Sequence, residues 1–203
     1  GLASAVAYPT LNGAVWDFVE FQSQILERWL MTDEVTKTYL VHYQTGEPIP
    51  DKLLAKIKKA ATFNQGFVTT EYLASALMDM NYHTMDPAGL DVDSYERAAL
   101  AELNNPSEIP MRHRSPHFGH IFSSEGYAAG YYSYIWADVL TSHAAEAFAQ
   151  APGGFYDKEL AKKLVEHTFA VRNSVDPVEA YRAFRGTDAT IDALMRDRGF
   201  PVP

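Results

Sequence analysis

The chain contains no cysteine. Disulfides and thiolate metal sites are therefore excluded, and His, Asp and Glu remain as the plausible metal ligands. Long apolar runs are missing too. None approaches the ~20 residues needed to span a bilayer, and Gly1 to Ala7 lacks the basic start of a signal peptide, so no membrane partner is expected. Positive charge is scarce: 17 Lys and Arg stand against 26 Asp and Glu, a formal net charge of −9. Beyond Lys56-Ile57-Lys58-Lys59, which reads as a solvated helix face, and the pair Arg112/Arg114, nothing would neutralise a phosphate backbone. No nucleic-acid partner is expected. An H-E-x-x-H motif is also absent, since none of the seven histidines is followed by Glu in that pattern.

What is present is enough to fold. The 203 residues are 47% hydrophobic, which builds a sizeable core and excludes a disordered chain. No repeat, low-complexity tract or polar linker divides them, and the apolar spacing is helical almost throughout, predicting one all-α unit over residues 1–203. Helices are expected over Asp17 to Leu30 and from Thr32-Asp33-Glu34 to about Tyr43. Further ones are expected from Pro50-Asp51 to Ala61 and from Phe67 to about Asn81, either kinked or meeting at Gly66. Asp93-Ser94 is expected to cap a helix to Leu103. A tyrosine-rich helix is expected from Gly126 to about Gln150. Asp157 and Asp176-Pro177 should each start a helix, Gly186 should end the second, and Thr187-Asp188 should open a last one closed by Gly199. Residues 111–125 carry no clear period and are expected to be irregular or strand-like. The start at Gly1, inside an apolar stretch without a cap, reads as a cut point in something longer.

Three features could carry chemistry. In Gly126-Tyr127-Ala128-Ala129-Gly130-Tyr131-Tyr132-Ser133-Tyr134, residues Tyr127, Tyr131 and Tyr134 recur at i, i+4 and i+7, one stripe on a helix. A neutral phenol donates a hydrogen bond to an oxygen that becomes negative during a reaction. The same spacing also suits rings packed in a core with their hydroxyls at its rim. Gly126 and Gly130, costly inside a helix, suggest a close approach there. His113, His117 and His120 form a histidine cluster, but Pro116 breaks the helix that would align them as ligands. Beside the tyrosines, these histidines with Arg112 and Arg114 suit peptide carbonyls or a carboxylate better. Glu20 puts one carboxylate in the apolar run Phe18-Val19-Glu20-Phe21. It either turns to solvent or meets a cation, a metal or several donors, and alone it is too few ligands for zinc.

Trp16-Asp17-Phe18-Val19-Glu20-Phe21-Gln22-Ser23-Gln24, His113-Arg114-Ser115-Pro116-His117-Phe118-Gly119-His120 and Gly126 to Trp136 resemble successive motifs of the M3 zinc peptidases. The resemblance continues through Phe63-Asn64-Gln65-Gly66-Phe67 and Phe184-Arg185-Gly186, so it covers essentially the whole chain. It implies the C-terminal part of a gluzincin catalytic domain that cleaves short peptides, by removal of C-terminal dipeptides or by internal cleavage. Zn2+ would be held by an H-E-x-x-H helix lying before Gly1, with Glu20 as the third ligand. Tyr127 and Tyr134 match the tyrosines that stabilise the tetrahedral intermediate. His120 matches a residue that contacts the substrate backbone, with Tyr131, His117 and Arg114 also on the substrate side. Gln22 stands where that family usually has proline. The implied partners are oligopeptide substrates and the missing N-terminal part of the domain, the expected compartment is the cytoplasm, and the chain alone is expected to be inactive. Two competing readings are a non-catalytic helical module whose tyrosine face binds a peptide or partner helix, and a metal-binding module built on His113 to His120.

Overall fold

The computed structural model describes residues 3–202; Gly1, read above as a cut point, lies outside them. Among the described residues the secondary structure is helical, with no strand and a single isolated bridge between Val41 and Pro48. No helix is long and apolar enough to cross a membrane among these residues. The contacts group the chain into two compact units. One comprises the chain up to Thr62 together with Ile135 onwards, and the other is Phe63–Tyr134.

The first unit begins with α1 (Trp16–Val19) and α2 (Phe21–Glu27), followed by a 3-10 turn at Arg28–Met31. The continuous helix expected from Asp17 to Leu30 is thus broken at Glu20, although its apolar spacing is used as foreseen: Phe18, Phe21 and Ile25 are buried. α3 (Asp33–Thr38) is capped by Thr32, whose hydroxyl accepts from the Val35 amide. It stops short of Tyr43 because the next backbone groups pair elsewhere: the His42 amide donates to the Glu47 carbonyl at 2.7 Å, and that of Ile49 to Leu40 at 2.9 Å. Gly46, at φ +72°, supplies the left-handed residue this turn requires.

α4 (Asp51–Ala60) completes the N-terminal part of this unit. Its remaining helices are most of α8 (Ser133–Gln150), α9 (Lys158–Leu164) with a π-helical turn at Val165–Phe169, α10 (Pro177–Arg185) and α11 (Asp192–Asp197). Asp157 caps α9 and Asp176 caps α10, and Gly186 ends α10 at φ +80°, all as the sequence indicates. The last helix starts later than Thr187-Asp188 because the Asp188 carboxylate is engaged by Arg182, at 2.6 and 3.0 Å, and caps nothing. The core of this unit gathers Phe18, Phe21, Ile25, Phe148, Tyr181 and Phe184 with small residues of α8. Each buried aromatic contributes on the order of 1.5–3 kcal/mol by leaving water.

The second unit is built on α5 (Gln65–Thr84) and α6 (Val92–Glu102). The two helical pieces expected on either side of Gly66 are α4 and α5, and α5 begins just after Asn64, which takes φ +54°. Asp91 caps α6 by accepting from Ser94 at 2.9 Å. Residues 111–125 are short helical turns rather than strand-like: a 3-10 turn at Ser115–His117, α7 (Gly119–Phe122) and a 3-10 turn starting at Glu125.

Candidate functional site

The tyrosines are brought together, but not by a helix. Glu125–Tyr127 is a 3-10 turn, Ala129 takes the left-handed φ of +54°, and α8 starts only at Ser133. Three consecutive turns, closed by the Ala128 amide to Glu125, Gly130 to Tyr127 and Ser133 to Gly130, fold the segment on itself. The premise of two glycines inside a helix therefore fails. A Cβ on Gly130 would meet Tyr127 backbone atoms at 3.5 Å and beyond, ordinary contact, so no close approach demands glycine there.

Within this turn the Tyr127 and Tyr134 rings stack at 5.3 Å between centroids, and Tyr131 meets Tyr134 edge-on at 5.4 Å. His120 packs edge-on against all three rings, at 5.8 Å from Tyr127, 5.4 Å from Tyr131 and 6.1 Å from Tyr134. Tyr131 is buried beneath them, against Phe118 at 4.9 Å and stacked on Tyr72 at 5.2 Å. Burial raises its phenol pKa, which keeps it a neutral donor across the physiological range. Tyr127 and Tyr134 are half-buried.

The turn rests on α5 through a carboxylate that the tyrosine pattern did not reveal. Asp79 is fully buried, and its two oxygens accept the amides of Ala129 at 2.9 Å and Tyr131 at 2.8 Å. His83, one turn along α5, brings Nδ1 to 2.9 Å from the same carboxylate. The Tyr72 hydroxyl, also on α5, donates to the Tyr131 carbonyl. The signal that could have found Asp79 is the one used for Glu20, a single carboxylate inside an apolar helical run.

The histidine loop is held in the same manner by α6. Glu96, buried, accepts from the Ser115 amide at 2.9 Å and the Ser115 hydroxyl at 2.6 Å, and it pairs with Arg114 Nε at 2.5 Å. Burial alone would raise the Glu96 pKa, but the Ser115 hydrogen bonds and Arg114 together bring it below its ordinary value. Arg114 also reaches Asp93 at 2.9 Å, so its guanidinium braces the loop. His113 hangs from α5 through its amide on the buried Ser75 hydroxyl, at 3.3 Å, and its ring meets Phe118 at 5.2 Å and His120 at 5.5 Å. Burial, then His120 and Arg112, lower its pKa and favour the neutral ring. His117 is exposed at the end of its 3-10 turn, after which Phe118, at φ −81° and ψ 64°, breaks the helical path. The three histidines therefore do not line up, and no three metal-ligating side chains gather among the described residues.

Glu20 belongs to the other unit. It is half-buried at the break between α1 and α2, where the Ser23 hydroxyl donates to its carbonyl at 2.9 Å and lies 3.2 Å from its Oε2. Gln22 accepts a hydrogen bond from Arg172 at 3.1 Å.

The geometry is thus a clustered set of phenols and imidazoles on two carboxylate-anchored loops, with a separate carboxylate at a helix break. Known proteins share the sequence that builds it. Dipeptidyl carboxypeptidase of Escherichia coli (strain K12) is 38% identical over 207 residues, covering 100% of this chain and 30% of the relative. Oligopeptidase A of Escherichia coli (strain K12) is 33% identical over 193 residues, covering 93% of this chain and 28% of the relative. Saccharolysin of Saccharomyces cerevisiae is 31% identical over 189 residues, covering 91% of this chain and 26% of the relative. The chain thus spans less than a third of the length of these curated relatives. The profile of peptidase family M3 matches residues 1–200, and the chain belongs to that family.

Proposed function

We propose that this chain is the C-terminal part of the catalytic domain of a zinc-dependent peptidase that hydrolyses short peptides, of the kind that removes C-terminal dipeptides. The observation that carries this reading is the packing of Tyr127, Tyr131 and Tyr134 around His120, within a chain of peptidase family M3. Amide hydrolysis passes through a tetrahedral intermediate whose oxygen becomes negative. Tyr127 and Tyr134, as neutral donors, hydrogen-bond that oxygen more strongly than the ground-state carbonyl, which is what lowers the barrier. His120, resting on all three phenols, binds the substrate backbone, with the buried Tyr131 supporting its ring rather than touching substrate, and His117 and Arg114 lie on the same loop.

The family is zinc-dependent, and zinc bound in such a site polarises the scissile carbonyl and lowers the pKa of a bound water. With no three ligating side chains together among the described residues, the donor this chain offers is Glu20, a fit for one position of a site completed by an H-E-x-x-H helix. The purified chain alone should therefore show no zinc-dependent cleavage. Support for the dipeptide-removing specificity comes from the name of the relative at 38% identity, a dipeptidyl carboxypeptidase.

The test is Tyr134→Phe in the full-length enzyme. Loss of one oxyanion donor is expected to lower kcat by roughly 100- to 1,000-fold, with KM little changed. An unchanged kcat removes Tyr134 from the mechanism.

A further inference from the structure

We infer that Asp79 is the positioning residue of the tyrosine turn, holding Tyr127, Tyr131 and Tyr134 in their working arrangement through the backbone; the inference rests on the peptidase reading above. A fully buried carboxylate is costly unless donors surround it, and an apolar side chain would fill that place on α5 at less cost. Its donors explain its presence. The Ala129 and Tyr131 amides, at 2.9 and 2.8 Å, both belong to the turn.

The segment needs this hold. Ala129 sits at φ +54°, a left-handed conformation that a residue with a Cβ adopts only under constraint. The phenols on either side are separated by tight turns rather than by the regular hydrogen bonds of a helix. One carboxylate bridging the amides of residues 129 and 131 fixes the backbone between Tyr127 and Tyr134. From the same helix, Tyr72 donates to the Tyr131 carbonyl, so α5 grips both polar backbone groups of Tyr131. Asp79 touches no reacting atom in this account and acts only through the tyrosines.

Asp79→Asn keeps the shape and one acceptor oxygen but turns the NH2 of its carboxamide, a donor, toward a backbone N–H. In the full-length enzyme it is expected to lower kcat about 10- to 100-fold, with KM changed less than about twofold. Added to Tyr134→Phe, the same substitution is expected to cost less, because one of the two oxyanion donors it positions is already gone. Tyr72→Phe, which leaves the buried charge untouched, should move kcat in the same direction by a smaller factor. Amide hydrogen exchange over residues 129–131 should speed up in Asp79→Asn whatever happens to catalysis.

Equal losses in kcat with and without Tyr134→Phe, or unchanged protection of the Ala129 and Tyr131 amides, would overturn the inference. If Tyr134→Phe and Tyr127→Phe both prove fully active, the oxyanion reading fails and Asp79 has no donor to position in catalysis. The exchange readout then shows separately whether Asp79 holds the turn.

Discussion

The Tyr181 hydroxyl donates to the Leu140 carbonyl at 2.9 Å, so at the 2.9 Å contact with His143 Nδ1 it accepts. Arg185 donates to His143 Nε2 at 3.2 Å, which leaves that nitrogen no proton of its own. The hydrogen bonds thereby select the neutral tautomer protonated on Nδ1. Burial and then Arg185 lower the His143 pKa below its ordinary 6.5. In the unfolded chain the ring takes up its proton first as pH falls. Stability from this residue is therefore complete above about pH 6.5 and lost progressively below it. His113, lowered by burial and by His120, adds to the same fall. Thermal unfolding between pH 7.5 and 5 should show the midpoint dropping with pH, with a shallower drop in His143→Asn. A midpoint independent of pH over that range would contradict the assignment.

Among the elements, α10 depends most visibly on its cap. The Asp176 carboxylate accepts the amides of Val178 at 2.9 Å and Glu179 at 3.2 Å, and Pro177 occupies the first turn, where its missing N–H costs nothing. α10 buries Ala180, Tyr181 and Phe184 in the core of its unit, so fraying at this end reaches that packing. Asp176→Ala should lower stability by about 1 kcal/mol, read from chemical denaturation, and a change near zero would mean the cap is replaced by another group.

Caps of this kind were legible in the sequence because they are local: an Asp before an apolar period announces itself, as at residues 157 and 176. The early end of α3 at Thr38 was not, because it depends on backbone partners that spacing does not record. The tyrosine segment shows the same limit at the site. Its rings cluster as their spacing suggests, yet through turns anchored by Asp79, a residue 50 positions from Ala129 in sequence. Arg114 and Glu96 form the corresponding pair for the histidine loop, and only their meeting in space reveals that the arginine is engaged.

For the whole molecule, the two compact units divide the proposed chemistry. Phe63–Tyr134 carries the phenols and His120, while the unit formed by the rest of the chain carries Glu20. In the proposed reaction these parts have different tasks, Glu20 as a metal ligand and the tyrosines as oxyanion donors. A measurement of bound zinc in the full-length enzyme and two of its variants tests that division most directly. Glu20→Gln is expected to lose most of the zinc the unaltered enzyme retains after dialysis, whereas Tyr134→Phe keeps it and loses only kcat. Full zinc in Glu20→Gln, or loss of zinc in Tyr134→Phe, would contradict the account.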